Sequence, residues 1–127
     1  MTIRVFLVED MKQVQGVLAD LLATVGDFHL VNATATEAEA KLWLSENAGG
    51  WDLAIVDLVL KEGSGFGVVQ RAREVNKHNP VLVFSGYLSP GVTLHCLELG
   101  ATAVLDKAQA NSLLQWLADV AKVRRDE

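Results

Sequence analysis

Short apolar runs that stop dead on a polar residue, each followed by a longer amphipathic stretch, constrain this chain more than any other feature. Ile3–Val8 ends at Glu9-Asp10, Leu53–Val56 at Asp57, Val81–Phe84 at Ser85, and Ala103–Leu105 at Asp106-Lys107. The runs Leu53–Val56 and Val81–Phe84 are apolar throughout, as expected of strands covered on both faces in a parallel sheet. Between them lie residues at helical spacing. Val14, Val17, Leu18, Leu21, Leu22 and Val25 predict a helix over 11–25 that Gly26 stops. Phe28–Asn32 reads as a further strand, and Thr36-Glu-Ala-Glu39 as a capping box that opens a helix through about Asn47. A third helix is predicted from Phe66 to about Lys77, after the glycine-rich turn Gly63-Ser-Gly65. Ser89-Pro90 opens a fourth that Gly100 closes, and Leu113, Trp116, Leu117 and Val120 mark one face of a fifth.

Five strands alternating with five helices predict an α/β domain, and right-handed crossovers make its sheet parallel with helices on both faces. No repeat, low-complexity tract or linker divides the sequence, so one domain is expected over 1–127. With 16 acidic and 11 basic residues the net charge is −5. That balance gives no support to nucleic-acid or anionic-membrane binding. The single cysteine, Cys96, has no partner for a disulfide or a zinc site and reads as a small buried hydrophobe. No signal peptide or membrane-spanning run is recognisable, so the expected setting is cytoplasmic.

In open α/β sheets, ligands sit beyond the carboxyl ends of the strands. Here those ends bring Glu9, Asp10 and Asp57 together with Ser85 and Lys107. Three like charges in one small mouth call for a cation, and an all-oxygen donor set selects Mg²⁺, with Mn²⁺ the alternative. Taken singly, Glu9 and Asp10 also read as acidic caps of the first helix, and Lys107 as a surface lysine. His29, His78 and His95 lack metal-ligand spacing. Trp43, Trp51 and Trp116 read as packing residues. Gly63-Ser-Gly-Phe-Gly67 lacks the spacing and lysine of a phosphate-binding loop and reads as a turn.

Val8-Glu-Asp10, Val56-Asp57-Leu58, Ser64-Gly65, Phe84-Ser85-Gly86, Leu99-Gly-Ala101 and Asp106-Lys107 occur in order along the whole chain. In this set the chain resembles the receiver domains of two-component response regulators. The resemblance implies a flavodoxin-like doubly wound sheet of strand order 2-1-3-4-5 with five helices. It implies that Asp57 accepts a phosphoryl group from a sensor histidine kinase or phosphotransfer protein. Glu9, Asp10, Asp57 and the Val59 carbonyl would hold Mg²⁺, Lys107 would neutralise the phosphoryl group, Ser85 would hydrogen-bond it, and Gly86 would leave it room. Such a domain catalyses its own phosphorylation and dephosphorylation and is not a conventional enzyme. Its output partner is unknown, it needs no nucleic acid or membrane of its own, and homodimerisation is a further option. After Arg124-Arg-Asp-Glu127 no output domain follows, so signalling is expected through protein contacts or from a longer parent chain.

Three positions depart from the family pattern. Lys61 and Ala108 stand where many receivers have proline, and Val104 stands where an aromatic ring often turns inward on activation. Tyr87 reads equally as a replacement for that ring or as a loop aromatic over the site. The competing function is a degenerate receiver that only binds proteins. A phosphohydrolase is disfavoured, because Val59 occupies the place of its second aspartate.

Overall fold

The computed structural model describes residues 2–126; Met1 and Glu127, the outermost positions of the expected domain, lie outside the described residues. Chain order is β1 (Ile3–Val8), α1 (Lys12–Val25), β2 (Phe28–Thr34), α2 (Glu37–Glu46), β3 (Leu53–Val56), α3 (Gly65–Val75), β4 (Val81–Ser85), α4 (Pro90–Leu99), β5 (Ala103–Asp106) and α5 (Ala110–Asp126). The five strands form one sheet of order β2-β1-β3-β4-β5, every pair parallel. This is the expected doubly wound architecture.

Alternation along the strands splits the core in two, because successive side chains of a strand point to opposite faces. Phe6, Val8, Ala54, Val56, Val81 and Val83 pack with Leu44 of α2, Val68, Val69 and Ala72 of α3 and Cys96 of α4. Val5, Leu7, Leu53, Ile55, Leu82 and Phe84 pack on the other face with Leu18 and Leu22 of α1 and Leu113 and Leu117 of α5. Cys96 is buried as expected. So is Trp51, while Trp43 stacks on Phe6 at 4.3 Å.

Local chemistry fixes the element ends. Thr36 Oγ1 accepts from the Glu39 amide at 3.2 Å, and Ser89 Oγ from the Val92 amide at 3.1 Å, so both expected caps form. Gly26 and Gly100 end α1 and α4 at φ 84° and 112°.

Four expectations shift. β2 continues to Thr34, two residues beyond Asn32, because the edge of the sheet tolerates polar residues. α3 spans 65–75 and not 66–77: Asn76 is extended, and its Oδ1 accepts from the amides of His78 and Asn79, which pulls the chain out of the helix. α1 starts at Lys12. Val17 is 62% exposed, since it lies about 100° round the helix from Leu18 and outside the stripe that faces the sheet.

At the amino end of the sheet, Asp52 accepts from the Arg4 amide at 2.8 Å and pairs with the Arg4 and Arg124 guanidinium groups at 3.0 and 3.1 Å. The cleft described next lies at the other end.

Candidate functional site

Parallel strands expose their last backbone groups at one end, and the loops there turn four chain segments toward each other. Glu9 follows β1, with its amide donating to Thr34 O at 3.0 Å. Asp57 follows β3, with its amide donating to Val8 O at 3.0 Å. Ser85 closes β4 beside Asp106 of β5, and the Lys107 amide donates to Ser85 O at 3.1 Å. The strand ladder thus sets where each side chain starts before any side-chain contact forms.

The side chains converge. Lys107 Nζ lies 2.6 Å from Glu9 Oε1 and 2.9 Å from Asp57 Oδ2. Glu9 is 1% exposed and Asp57 5% exposed, so these are charges removed from water and their pairing is obligatory. Burial alone would lower the Lys107 pKa, but its hydrogen bonds to Glu9 and Asp57 win and hold the ammonium above the usual lysine range. Burial pushes the Glu9 carboxyl above its ordinary range, and the bonds from Lys107 and the Met11 amide pull it back only in part. The Lys107 side chain is 26% exposed and that of Glu9 2%, so burial weighs more heavily on the carboxylate. The contact of Glu9 Oε2 with the Met11 amide, 3.3 Å, also gives Glu9 a part in starting α1.

A cleft of about 210 Å³ opens over Asp57, walled by Asp10, Met11, Val59, Tyr87 and Lys107. One carboxylate oxygen each from Glu9, Asp10 and Asp57 lie within 4.8 Å of one another, and among the described residues this is the acidic group able to hold a metal ion. Three carboxylates face one ammonium, leaving an excess of negative charge. The buried Oδ1 of Asp57 has no hydrogen-bond partner. An orphan hard oxygen in an all-oxygen set fits a small divalent cation.

The remaining expected residues take different places. Ser85 is fully buried beneath the loop from β4 to α4, where its Oγ accepts from the Tyr87 amide at 3.3 Å; it does not wall the open cleft. A Cβ on Gly86 would meet nothing within 4 Å, so the room there belongs to the cleft and not to glycine alone. Val59 and Tyr87 border the cleft but are 49% and 72% exposed, so Tyr87 projects into solvent more than it covers Asp57. Val104 sits half-buried in β5 opposite Val83. His29, His78 and His95 are exposed, His95 with its ring 5.1 Å from that of Phe66.

Gly65 is a site residue whose reason was hidden in the sequence. A Cβ there would run into the carbonyl oxygen of Asp57, and the Gly65 amide donates to Leu58 O at 2.9 Å. The start of α3 can approach the backbone of Asp57 this closely only without a side chain. The sequence showed Ser64-Gly65 as a turn, but not the neighbour that demands the glycine.

Residues 5–118 match the family pattern of the response regulator receiver domain. Over 105 residues the chain is 33% identical to the transcriptional regulatory protein CiaR of Streptococcus pneumoniae, which covers 83% of this chain and 45% of that protein. The chain therefore spans less than half the length of this curated relative. Two solved structures share the fold. The phosphorylated cyanobacterial phytochrome response regulator RcpA is 26% identical with a TM-score of 0.79, covering 94% of this chain and 91% of that one. CheY of Borrelia burgdorferi, solved with CheX, BeF3 and magnesium, is 20% identical with a TM-score of 0.81, covering 93% and 88%.

Proposed function

The chain belongs to the response regulator receiver domain family, and from that membership and the geometry of the cleft we propose that Asp57 is its phosphoacceptor. The observation that carries this reading is the Asp57 carboxylate itself: buried at the carboxyl end of β3, held at Oδ2 by Lys107, unpartnered at Oδ1, and open to a cleft. A carboxylate oxygen of Asp57 attacks phosphorus, a P–O bond forms, and the P–N bond to the imidazole of a phosphohistidine on a kinase or phosphotransfer protein breaks. Catalysis of such a transfer is positioning and charge neutralisation.

Glu9, Asp10, the Asp57 carboxylate and the Val59 carbonyl would hold Mg²⁺, with Mn²⁺ the alternative. When bound, the ion supplies neutralisation of phosphoryl charge. Lys107 adds a second positive charge within reach of Asp57. Ser85, at the end of β4, would donate its hydroxyl proton to a phosphoryl oxygen once its loop moves inward. The acyl phosphate carries about 1.5 to 2 negative charges where the carboxylate carried one, and its added charge and acceptor oxygens draw that loop inward. The output passes to a partner protein through the surface so altered, and the domain catalyses this change on itself alone.

Labelling with acetyl phosphate in the presence of MgCl2 tests the reading. Wild type acquires a hydroxylamine-labile acyl phosphate, and Asp57→Ala acquires none while keeping its fold. Labelling that survives the substitution removes Asp57 from the mechanism. A wild type that takes no label in Mg²⁺ is a degenerate receiver that acts only by binding proteins.

A further inference from the structure

We infer that Glu37, on α2 and outside the cleft, is a positioning residue that sets the Val59 carbonyl for cation binding. The inference rests on the proposed cation site and names a residue that reading does not include. Val59 belongs to the loop from Asp57 to Ser64, which contains no proline to stiffen it. Within that loop Val59 pairs with Ser64 as an isolated antiparallel bridge, so the position of Ser64 determines that of Val59. Ser64 is held from outside: its amide donates to Glu37 Oε1 at 2.7 Å. The Glu37 amide in turn donates to Glu62 O at 3.1 Å, so one residue grips the loop at two points. The other carboxylate oxygen, Oε2, is 2.6 Å from Lys41 Nζ, which fixes the side chain in this pose.

The surroundings are cut to fit this side chain. Gly63 has φ 83°, and a Cβ there would strike the Cβ of Glu37; a Cβ on Gly67 would strike Glu37 Oε2. The glycine spacing of Gly63-Ser-Gly-Phe-Gly67 thus has a purpose that a turn alone does not require. Gly63 and Gly67 admit Glu37, and Gly65 between them admits the carbonyl of Asp57. The hydrogen bonds from Lys41 and the Ser64 amide hold the Glu37 carboxyl below its ordinary range, so it remains an acceptor at neutral pH.

Mg²⁺ titration of the whole chain, followed by tryptophan fluorescence, is the test, with amide hydrogen exchange at Ser64 measured on the metal-free protein. Glu37→Ala raises the Kd for Mg²⁺ about tenfold, the range seen when groups that orient metal ligands are removed, and exposes the Ser64 amide to exchange. Glu37→Gln keeps a carbonyl oxygen for that amide and stays within about threefold of wild type, the remainder being screened charge. Lys41→Ala frees Oε2 but leaves the Ser64 bond to Oε1, and raises Kd by less than Glu37→Ala does. If Glu37→Ala does not fold, Glu37→Asp, one methylene too short to reach Ser64, takes its place. Asp10→Asn separates the two levels of the argument. Should Asp10→Asn lose Mg²⁺ while Glu37→Ala binds as wild type, the positioning role is wrong and the cation site stands. If Asp10→Asn also binds as wild type, the cation site itself is wrong and the role of Glu37 falls with it. A Glu37→Gln variant as impaired as Glu37→Ala would make the effect one of charge, which overturns positioning through the hydrogen bond.

Discussion

Lys107 spends one ammonium on two buried carboxylates, Glu9 at 2.6 Å and Asp57 at 2.9 Å. Lys107→Met removes the cation and leaves both acids uncompensated, a change that costs about 3 kcal/mol where one partner of a buried pair is lost. Urea unfolding in metal-free buffer should show this loss, and added MgCl2 should restore more stability to the variant than it adds to wild type. Equal stability of the two proteins would mean that Lys107 does not compensate these acids. Val59 and Tyr87 act at the same scale but on water. Both border the cleft, and Val59 carries no group that could serve as acid or base toward water. Val59→Asn with Tyr87→Ala should therefore shorten the lifetime of the phosphorylated protein, measured as decay of the label. With Tyr87 72% exposed, most of the effect should come from Val59, 49% exposed and fixed to the loop by its bridge with Ser64. An unchanged decay would show that neither side chain screens Asp57.

Between elements, α3 approaches the end of β3 too closely to admit a side chain at Gly65. Gly65→Ala puts a methyl against the Asp57 carbonyl. Overpacking of this kind costs about 1–3 kcal/mol, and because the clash is with the backbone of Asp57, the labelling rate should fall along with the unfolding midpoint. A variant that lost stability yet labelled at the wild-type rate would show that the strain is relieved away from Asp57. The elements themselves were largely legible in the sequence, because apolar runs such as Leu53–Val56 admit few other readings and Asp57 marks where the apolar run ends. The same logic exposed Glu9, Asp10, Ser85 and Lys107 as strand-end residues. It failed where a contact is distant in sequence. Nothing local tells that Glu37 reaches Ser64, or that Asn79 Nδ2 finds Trp51 O at 2.7 Å. It also failed at the end of β2, where Ala33 and Thr34 lie beyond the strand expected to stop at Asn32 and become part of it by pairing with β1 across a register shift.

Seen whole, the molecule keeps its chemistry at one end of the sheet and a clamp at the other. Asp52 joins β1, β3 and the end of α5 through Arg4 and Arg124. Burial would raise the Asp52 carboxyl, but the bonds and charge of Arg4, with help from Arg124, outweigh it and leave the pKa below its ordinary value. A depressed carboxyl stabilises the fold above its unfolded pKa and loses that contribution as pH falls through the folded one. Asp52→Asn should accordingly cost about 1–3 kcal/mol at neutral pH, and the gap to wild type should close below about pH 4. Labelling of Asp57 should be unaffected, and a gap independent of pH would rule out the ionised clamp. Arg73 makes a third fixed point. Its guanidinium donates to Gly100 O at 2.7 and 3.0 Å, to Asn79 O at 3.0 Å, to Asn76 O at 3.2 Å and to Thr102 Oγ1 at 3.4 Å. It pins the last turn of α4 to α3, while the first turn of α4 follows the loop through Gly86 and Tyr87, whose next residue, Leu88, packs on the core. The carboxyl end of α4 is thus held by directional bonds, and its amino end by the packing of Val92 on the core. A displacement of the loop after Ser85 would therefore be felt first at the amino end of α4 and last at Gly100.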